Sequence, residues 1–239
     1  MIKTSSITIH YWLSPAGKLV VQRFLCVKNC DNIISRLYYM EFSNDILKAI
    51  TETLNMTYIY YYSSPLGRIT VSSNGKKITG LWFDNQKHSG NKLPKDHKEK
   101  ALPIFDEAKK WLDTYFSGTA PDFTPPIKVD TSPFRKLVLE IVRIIPFGQT
   151  MTYGEIANHI SKQRGLAKMS AQAVGQAVGS NPILLIIPCH RVVGANGNLT
   201  GYADGLEKKL QLLTLEKANI SAFSVNNGIA TNLFKLFML

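Results

Sequence analysis

One stretch constrains this chain more than any other: Asn181-Pro182-Ile183-Leu184-Leu185-Ile186-Ile187-Pro188-Cys189-His190-Arg191-Val192-Val193-Gly194. An apolar run held between two prolines predicts a buried strand. Pro188 fixes its own φ and pushes Ile187 toward extended geometry. The run therefore reads as a rigid arm that presents Cys189 at the edge of a packed core. Side chains alternate along a strand, so Cys189 and His190 are not expected to stack on one face. Taken alone, Cys189 reads as a buried structural thiol. Its neighbours point instead to chemistry. Arg191 is a permanent cation, and a cation beside a thiol favours the nucleophilic thiolate. His190 titrates near neutrality and can take the thiol proton. Asn181, at the other end of the arm, is a polar group able to orient what the arm presents.

Size and charge bound what surrounds this stretch. The 239 residues suffice for one large or two small domains, and 45% hydrophobic content is compatible with a real core. A net charge of +11 suits an anionic partner, nucleic acid first and an anionic membrane surface second. Cys26, Cys30 and Cys189 are an odd set with no framework, which argues against a disulfide scaffold. Cys26 and Cys30 stand four apart, but no further Cys or His pair completes a zinc site, so both read as ordinary thiols. No apolar run reaches the ~18 residues of a membrane helix, and the N-terminus lacks the apolar core of a signal peptide. The expectation is a reducing, cytoplasmic protein with no membrane contact.

Residues 1–55 read as an extension of uncertain order, with a strand over Leu19–Val27, a short helix over Ile46–Leu54, and Met40 and Met56 as alternative starts. Strands follow over Tyr58–Ser63, Arg68–Ser72 and Ile78–Phe83, separated by turns at Pro65-Leu66-Gly67 and Asn74-Gly75. Lys87–Lys100 is polar and reads as a loop. From Leu102 to Phe116 the residues Ile104, Phe105, Ala108, Trp111, Leu112 and Tyr115 share a helical face, which reads as core packing. Gly118 and four prolines between Pro121 and Pro133 mark a linker. A helix then runs from Phe134 to Ile145 and ends at Pro146-Phe147-Gly148. Thr152 and Glu155 form a capping box for the next helix, Arg164-Gly165 turns the chain, and Ser170 caps a third. Two short helices separated by a turn read as helix-turn-helix. Asn196-Gly197 predicts a hairpin turn, a wing. Leu206, Leu210 and Leu213 form the stripe of a last helix, and 220–239 is a tail of weak order.

Asn-Pro, a short apolar run and Pro-Cys-His-Arg-Val-Val-Gly together resemble the active-site signature of the O6-alkylguanine-DNA alkyltransferases, the methylated-DNA–protein-cysteine methyltransferases. Ser64-Pro65-Leu66-Gly67, Pro146 to Ala157 and Ala171 to Ile183 extend the resemblance, which covers about Met56 to Lys217. It implies an α/β protein: a small ribonuclease H-like N-terminal domain over 56–120, a linker over 121–133, and a winged helix-turn-helix domain over 134–219. It implies a monomer acting on double-stranded DNA that contains O6-alkylguanine, with O4-methylthymine as a second lesion.

The resemblance also assigns roles. Cys189 takes the alkyl group and keeps it as a thioether, so the protein acts once. His190 accepts the thiol proton through a water. Glu216, by count from Gly201-Tyr202, orients the imidazole from the last helix. Tyr153 donates to the departing base and Asn181 fixes the arm. Tyr202 and Ala203 line the base pocket, with Arg191 grouped among the substrate contacts. The helix-turn-helix lies in the minor groove, where Gln172 fills the gap left by the flipped base and small Ala171 and Gly175 let the helix sit close. Many relatives carry arginine where Gln172 stands and glycine where Asp204 stands; both departures bear on rate. No cofactor and no metal are implied. Two other readings compete. A non-enzymatic winged-helix binder of alkylated DNA or an operator is opposed by the presence of Cys189. A cysteine hydrolase would need a separated His and an oxyanion hole, and neither is visible.

Overall fold

The computed structural model describes residues 7–13, 19–29, 32–41, 56–84, 96–219 and 223–224, the first three stretches as backbone only. The chain divides into two units, Met1–Met56 and Thr57–Leu239. In the first, β1 (Ile7–Leu13), β2 (Leu19–Asn29) and β3 (Asn32–Glu41) form an antiparallel meander in the order β1-β2-β3. The strand expected over Leu19–Val27 is β2. Its two partners were not anticipated, although Ile7, Ile9, Tyr11 and Leu13 alternate as a strand should. The helix expected over Ile46–Leu54, Cys30, and most of the tail over 220–239 lie outside the described residues.

The second unit begins with β4 (Thr57–Ser64), β5 (Gly67–Ser73) and β6 (Ile78–Phe83), all antiparallel neighbours, and β7 (His97–Glu99), which pairs parallel to β4. The sheet order is β6-β5-β4-β7. The segment read as a polar loop thus contributes a short edge strand. Asn74-Gly75 does not make a two-residue hairpin. The Asn74 side chain accepts from the Lys76 and Lys77 amides, and the loop widens to reach a bulge at Ser72/Ser73. Helix α1 (Pro103–Phe116) lays its apolar face, Ile104 through Tyr115, into the core.

β6 is an edge strand, and exposed edges invite pairing. Here two later stretches cover it. The Ile78 amide donates to Pro126 and the Lys128 amide to Ile78, so the proline-rich connection adds Ile127 to the edge. One turn further along, the Leu81 amide donates to Pro182 at 2.9 Å and the Leu184 amide to Leu81 at 2.8 Å. The cysteine-bearing stretch is therefore bonded directly to the N-terminal sheet. One continuous core runs from Ile69 and Phe83 through Val138 and Val174 to Ile183–Ile187.

Three helices follow: α2 (Pro133–Arg143), α3 (Tyr153–Arg164) and α4 (Ala171–Gly179). Local chemistry fixes their ends. The Thr152 hydroxyl accepts from the Glu155 amide at 3.1 Å while Glu155 accepts from the Thr152 amide at 2.7 Å, the reciprocal box read from the sequence. Gly165, at φ 64°, closes α3, and the Ser170 hydroxyl caps α4. β8 (Met151–Thr152) pairs parallel with β9 (Val192–Val193), tying the start of α3 to the far side of the cysteine. Asn196 and Gly197, with φ of 56° and 69°, form the left-handed turn expected of an Asn-Gly pair. Among the described residues the flanks do not continue as a regular hairpin: the Gly194 amide reaches Asn198 and the Leu199 amide reaches Ser224. The last helix, α5 (Leu206–Leu215), buries Lys209, Leu210, Leu212 and Leu213.

The expected strand over Ile183–Ile187 does not form. Ile183 alone pairs, with Leu81; Leu184–Ile186 turn, and Leu185 adopts a φ of 65°. The Ile186, Ile187 and Cys189 amides donate to Leu184, Ile183 and Ile187 respectively. Prolines at both ends remove ladder donors. Burial is complete all the same, and an apolar run reports burial without distinguishing a strand from a packed turn.

Candidate active site

Buried loops must satisfy their own backbone groups, because an unpaired buried amide or carbonyl costs about 1–3 kcal/mol. Asn181 does this for the cysteine loop. Its Nδ2 donates to the Ile187 carbonyl at 2.7 Å and its Oδ1 accepts from the Ile183 amide at 3.0 Å. One side chain thus spans the loop from entry to exit.

Past Pro188 the chain closes into a single 3-10 turn, Cys189–Arg191. With three residues per turn, successive side chains leave about 120° apart. This is how three adjacent functional groups are separated, rather than by strand alternation. Cys189 is 6% exposed. Burial pushes its thiol up, and the Asn181 side chain and the Lys209 charge offset this only in part. The expectation that Arg191 would favour the thiolate fails for a geometric reason. The Arg191 guanidinium is turned inward, with Nε on Glu216 Oε2 at 2.8 Å, Nη2 on Oε1 at 2.9 Å and Nη1 on the Ile145 carbonyl at 2.6 Å. It holds Glu216, so its grouping with the substrate contacts is corrected as well.

Glu216 is the hub. It is the C-cap of α5 and 2% exposed. Lys217 at φ 56° and the Ala218 amide bonding back to Leu213 close the helix over it. Oε1 accepts from His190 Nε2 at 2.7 Å, from the Tyr115 hydroxyl at 2.7 Å and from Arg191; Oε2 accepts from Arg191 and from the Gly148 amide at 3.1 Å. Burial alone would raise the carboxyl, but His190 and the forked Arg191 contact reverse this and hold it far below the carboxylate range. His190 is fully buried, and burial outweighs Glu216 and lowers its pKa, which favours the neutral imidazole. Because Nε2 bonds a carboxylate it carries the proton, leaving Nδ1 as the bare nitrogen; Nδ1 is buried and has no partner in the structure.

The remaining predicted residues fall into two places. Tyr153, Ala171, Gln172 and Gly175 line one groove of about 700 Å³ together with Thr200 and Gly201. Gln172 is exposed there, and Gly175 lies under the Tyr153 ring, where a Cβ would stand 3.8 Å from it. Burial raises the Tyr153 hydroxyl, so it stays protonated and able to donate. Tyr202 meets the His190 ring edge-on at 6.4 Å, its hydroxyl buried without a partner, and Ala203 is exposed beside it. Asp204 is half-buried and raises the Cys189 thiol slightly.

Three residues escaped the sequence reading. Tyr115 reads in the sequence as core. Gly148 appeared only as a helix stop. Lys209 is fully buried, with Nζ donating to Val192 at 2.6 Å and Thr200 at 2.8 Å, and burial lowers its pKa to about 8. A lysine three residues after Leu206, inside an apolar stripe, was the available signal. Among the described residues no cluster of His, Cys, Asp or Glu side chains stands ready for a metal, and no helix is long and apolar enough to cross a membrane.

Comparison with known proteins adds a second line. The family model for the 6-O-methylguanine DNA methyltransferase ribonuclease-like domain matches residues 56–130, and that for the family's DNA binding domain matches 133–218. A methylated-DNA–protein-cysteine methyltransferase of Haemophilus influenzae is 41% identical over 165 residues, covering 68% of this chain and 88% of that protein. One from Mycobacterium tuberculosis is 37% identical over 159 residues, 66% of this chain and 92% of its own length. A solved structure of M. tuberculosis OGT in complex with DNA matches with a TM-score of 0.58 at 33% identity, over 75% of this chain and 99% of that one.

Proposed function

The chain belongs to the 6-O-methylguanine DNA methyltransferase family, and from that premise we propose how its residues divide the work. It is a DNA-repair methyltransferase that binds DNA and moves an alkyl group onto its own cysteine. In our reading the lesion is O6-alkylguanine in double-stranded DNA, the acceptor is Cys189, and the protein works as a monomer in a reducing cytoplasm.

An O6-alkyl group sits inside the duplex, so the nucleotide must be extruded at a cost of a few kcal/mol. The groove lined by Gln172, Ala171 and Gly175 is suited to a minor-groove contact, and Gln172 fills the place the base vacates. It brings volume and hydrogen bonds but no charge, so extrusion relies more on phosphate contacts from the +11 chain.

The transfer is a displacement at carbon. The Cys189 proton passes through a bridging water to His190 Nδ1. The sulfur lone pair attacks the alkyl carbon, the carbon–O6 bond breaks, and its electrons leave with guanine. Tyr153 donates a hydrogen bond that stabilises the negative charge on the departing guanine, which then takes a proton from water, while Tyr202 and Ala203 line its pocket. The imidazolium formed on His190 is stabilised by Glu216, which Arg191 keeps ionised. A raised thiol pKa fits this scheme: the resting nucleophile is protonated and needs a base. The product is a thioether that no neighbouring group can hydrolyse, so each molecule acts once.

The observation that most supports the reading is the buried Cys189–His190 turn anchored on Glu216. Mass spectrometry after mixing with an O6-methylguanine oligonucleotide tests it. The Cys189 peptide is expected to gain one methylene, and Cys189→Ser is expected to bind the oligonucleotide without gaining mass. Repair by Cys189→Ser at the parent rate overturns it.

A further inference from the structure

We propose that Tyr115, on α1 of the N-terminal α/β domain, is a positioning residue of the transfer site: its hydroxyl holds Glu216 and thereby sets how strongly the carboxylate draws on His190. This rests on the reading of Cys189 and His190 given above.

The geometry is specific. The Tyr115 hydroxyl lies 2.7 Å from Glu216 Oε1 and 3.3 Å from His190 Nε2. His190 Nε2 already spends its proton on the same oxygen at 2.7 Å. With Arg191 Nη2 at 2.9 Å, three donors converge on this one oxygen, and the phenol competes directly with the imidazole for it. A hydrogen bond to a carboxylate withdraws electron density, so each added donor weakens the pull of the others. Tyr115 thus limits the pull of Glu216 on His190 and keeps the resting imidazole a free base at Nδ1.

The ring is held for this task. Tyr115 is fully buried, stacks on Trp111 at 5.3 Å with planes 7° apart, and meets Phe116 and Phe147 edge-on. Burial and Glu216 together raise the phenol well above its usual range, so it remains a donor. A core position would be served equally by phenylalanine; the hydroxyl is explained only by its acceptor. Other groups act on the same imidazole: Arg191 and Lys209 oppose its protonation, Glu216 favours it, and the Tyr202 ring lies edge-on.

The test is the pH profile of Cys189 alkylation, measured on Tyr115→Phe and the parent with two probes, iodoacetamide and an O6-methylguanine oligonucleotide. Without the hydroxyl, Glu216 pulls harder on His190 and raises its proton affinity. The acid limb of the profile is expected to move up by about one pH unit, roughly tenfold slower at a pH on that limb, with the curves converging above pH 8. Site-specific 3-fluorotyrosine at position 115, a more acidic donor in a nearly unchanged ring, is expected to move the limb the other way. Superimposable profiles overturn the proposal, as does a loss uniform across pH accompanied by a lower unfolding midpoint. Iodoacetamide needs no lesion recognition. If the parent takes up no methyl group, the family chemistry fails while the iodoacetamide profiles still judge Tyr115.

Discussion

Replacing Glu216 by glutamine tests the hub of the site with almost no change in volume. The parent carboxylate accepts from Tyr115, His190, Gly148 and the Nε and Nη2 of Arg191. An amide presents one acceptor and one NH2, so in either orientation the NH2 faces a donor. The buried Arg191 charge also loses its counter-ion. Removing one partner of a buried pair costs about 3–5 kcal/mol. Since glutamine keeps an acceptor and the packing, the lower end, about 3 kcal/mol, is expected, or roughly 1 M in urea midpoint. A pH series gives an independent check. The folded Glu216 pKa is depressed, so its contribution is fully present above the unfolded carboxylate value of about 4.3 and is lost as pH falls below it toward the much lower folded value. The parent should therefore lose stability below about pH 4.3 more steeply than Glu216→Gln. Equal urea midpoints at pH 7, or parallel acid limbs, would refute the reasoning that Glu216 is an ionised, saturated acceptor. Methyl transfer should slow at the same time, because the imidazolium loses its stabilising charge.

Gly148→Ala should destabilise by roughly 2 kcal/mol or more: Gly148 sits at φ 75°, and a Cβ would stand 2.7 Å from the Glu216 carbonyl oxygen; an unchanged melting temperature contradicts this. Lys209→Met should cost about 2–3 kcal/mol by leaving the Val192 and Thr200 carbonyls without a donor, read as a lower urea midpoint and slower transfer. Lys217→Gly should raise the melting temperature, since a left-handed residue after a helix favours glycine by up to about 1 kcal/mol; a drop would mean that Lys217 makes a contact of its own. Because His190 is lowered by burial, transfer by the parent should hold its rate at pH 7 and decline only on the acid side of the ordinary histidine value of about 6.5; a decline beginning above pH 7 speaks against a neutral resting imidazole.

Features within a few residues of one another were legible in the sequence. The Thr152–Glu155 box, the Ser170 cap, the Gly165 stop and the left-handed Asn196-Gly197 turn follow from contacts between near neighbours, so residue order specifies them. The same holds for the strand at Ile78–Phe83, whose ends match the structure residue for residue. Length and apolar content said that Ile183–Ile187 is buried. They could not say that it is a turn, because the choice depends on the β6 edge, about a hundred residues earlier, which offers this stretch a single bridge at Leu81 beside the one it gives Ile127. Tertiary structure likewise decided what the charges do. Arg191 adjoins Cys189 in the chain, yet it is spent on Glu216, brought in by the end of α5; Lys209 is buried because two backbone carbonyls meet over it; and Tyr115 arrives from another domain altogether. A charge's partner is set by which surfaces fold together, and local sequence carries no record of that distance.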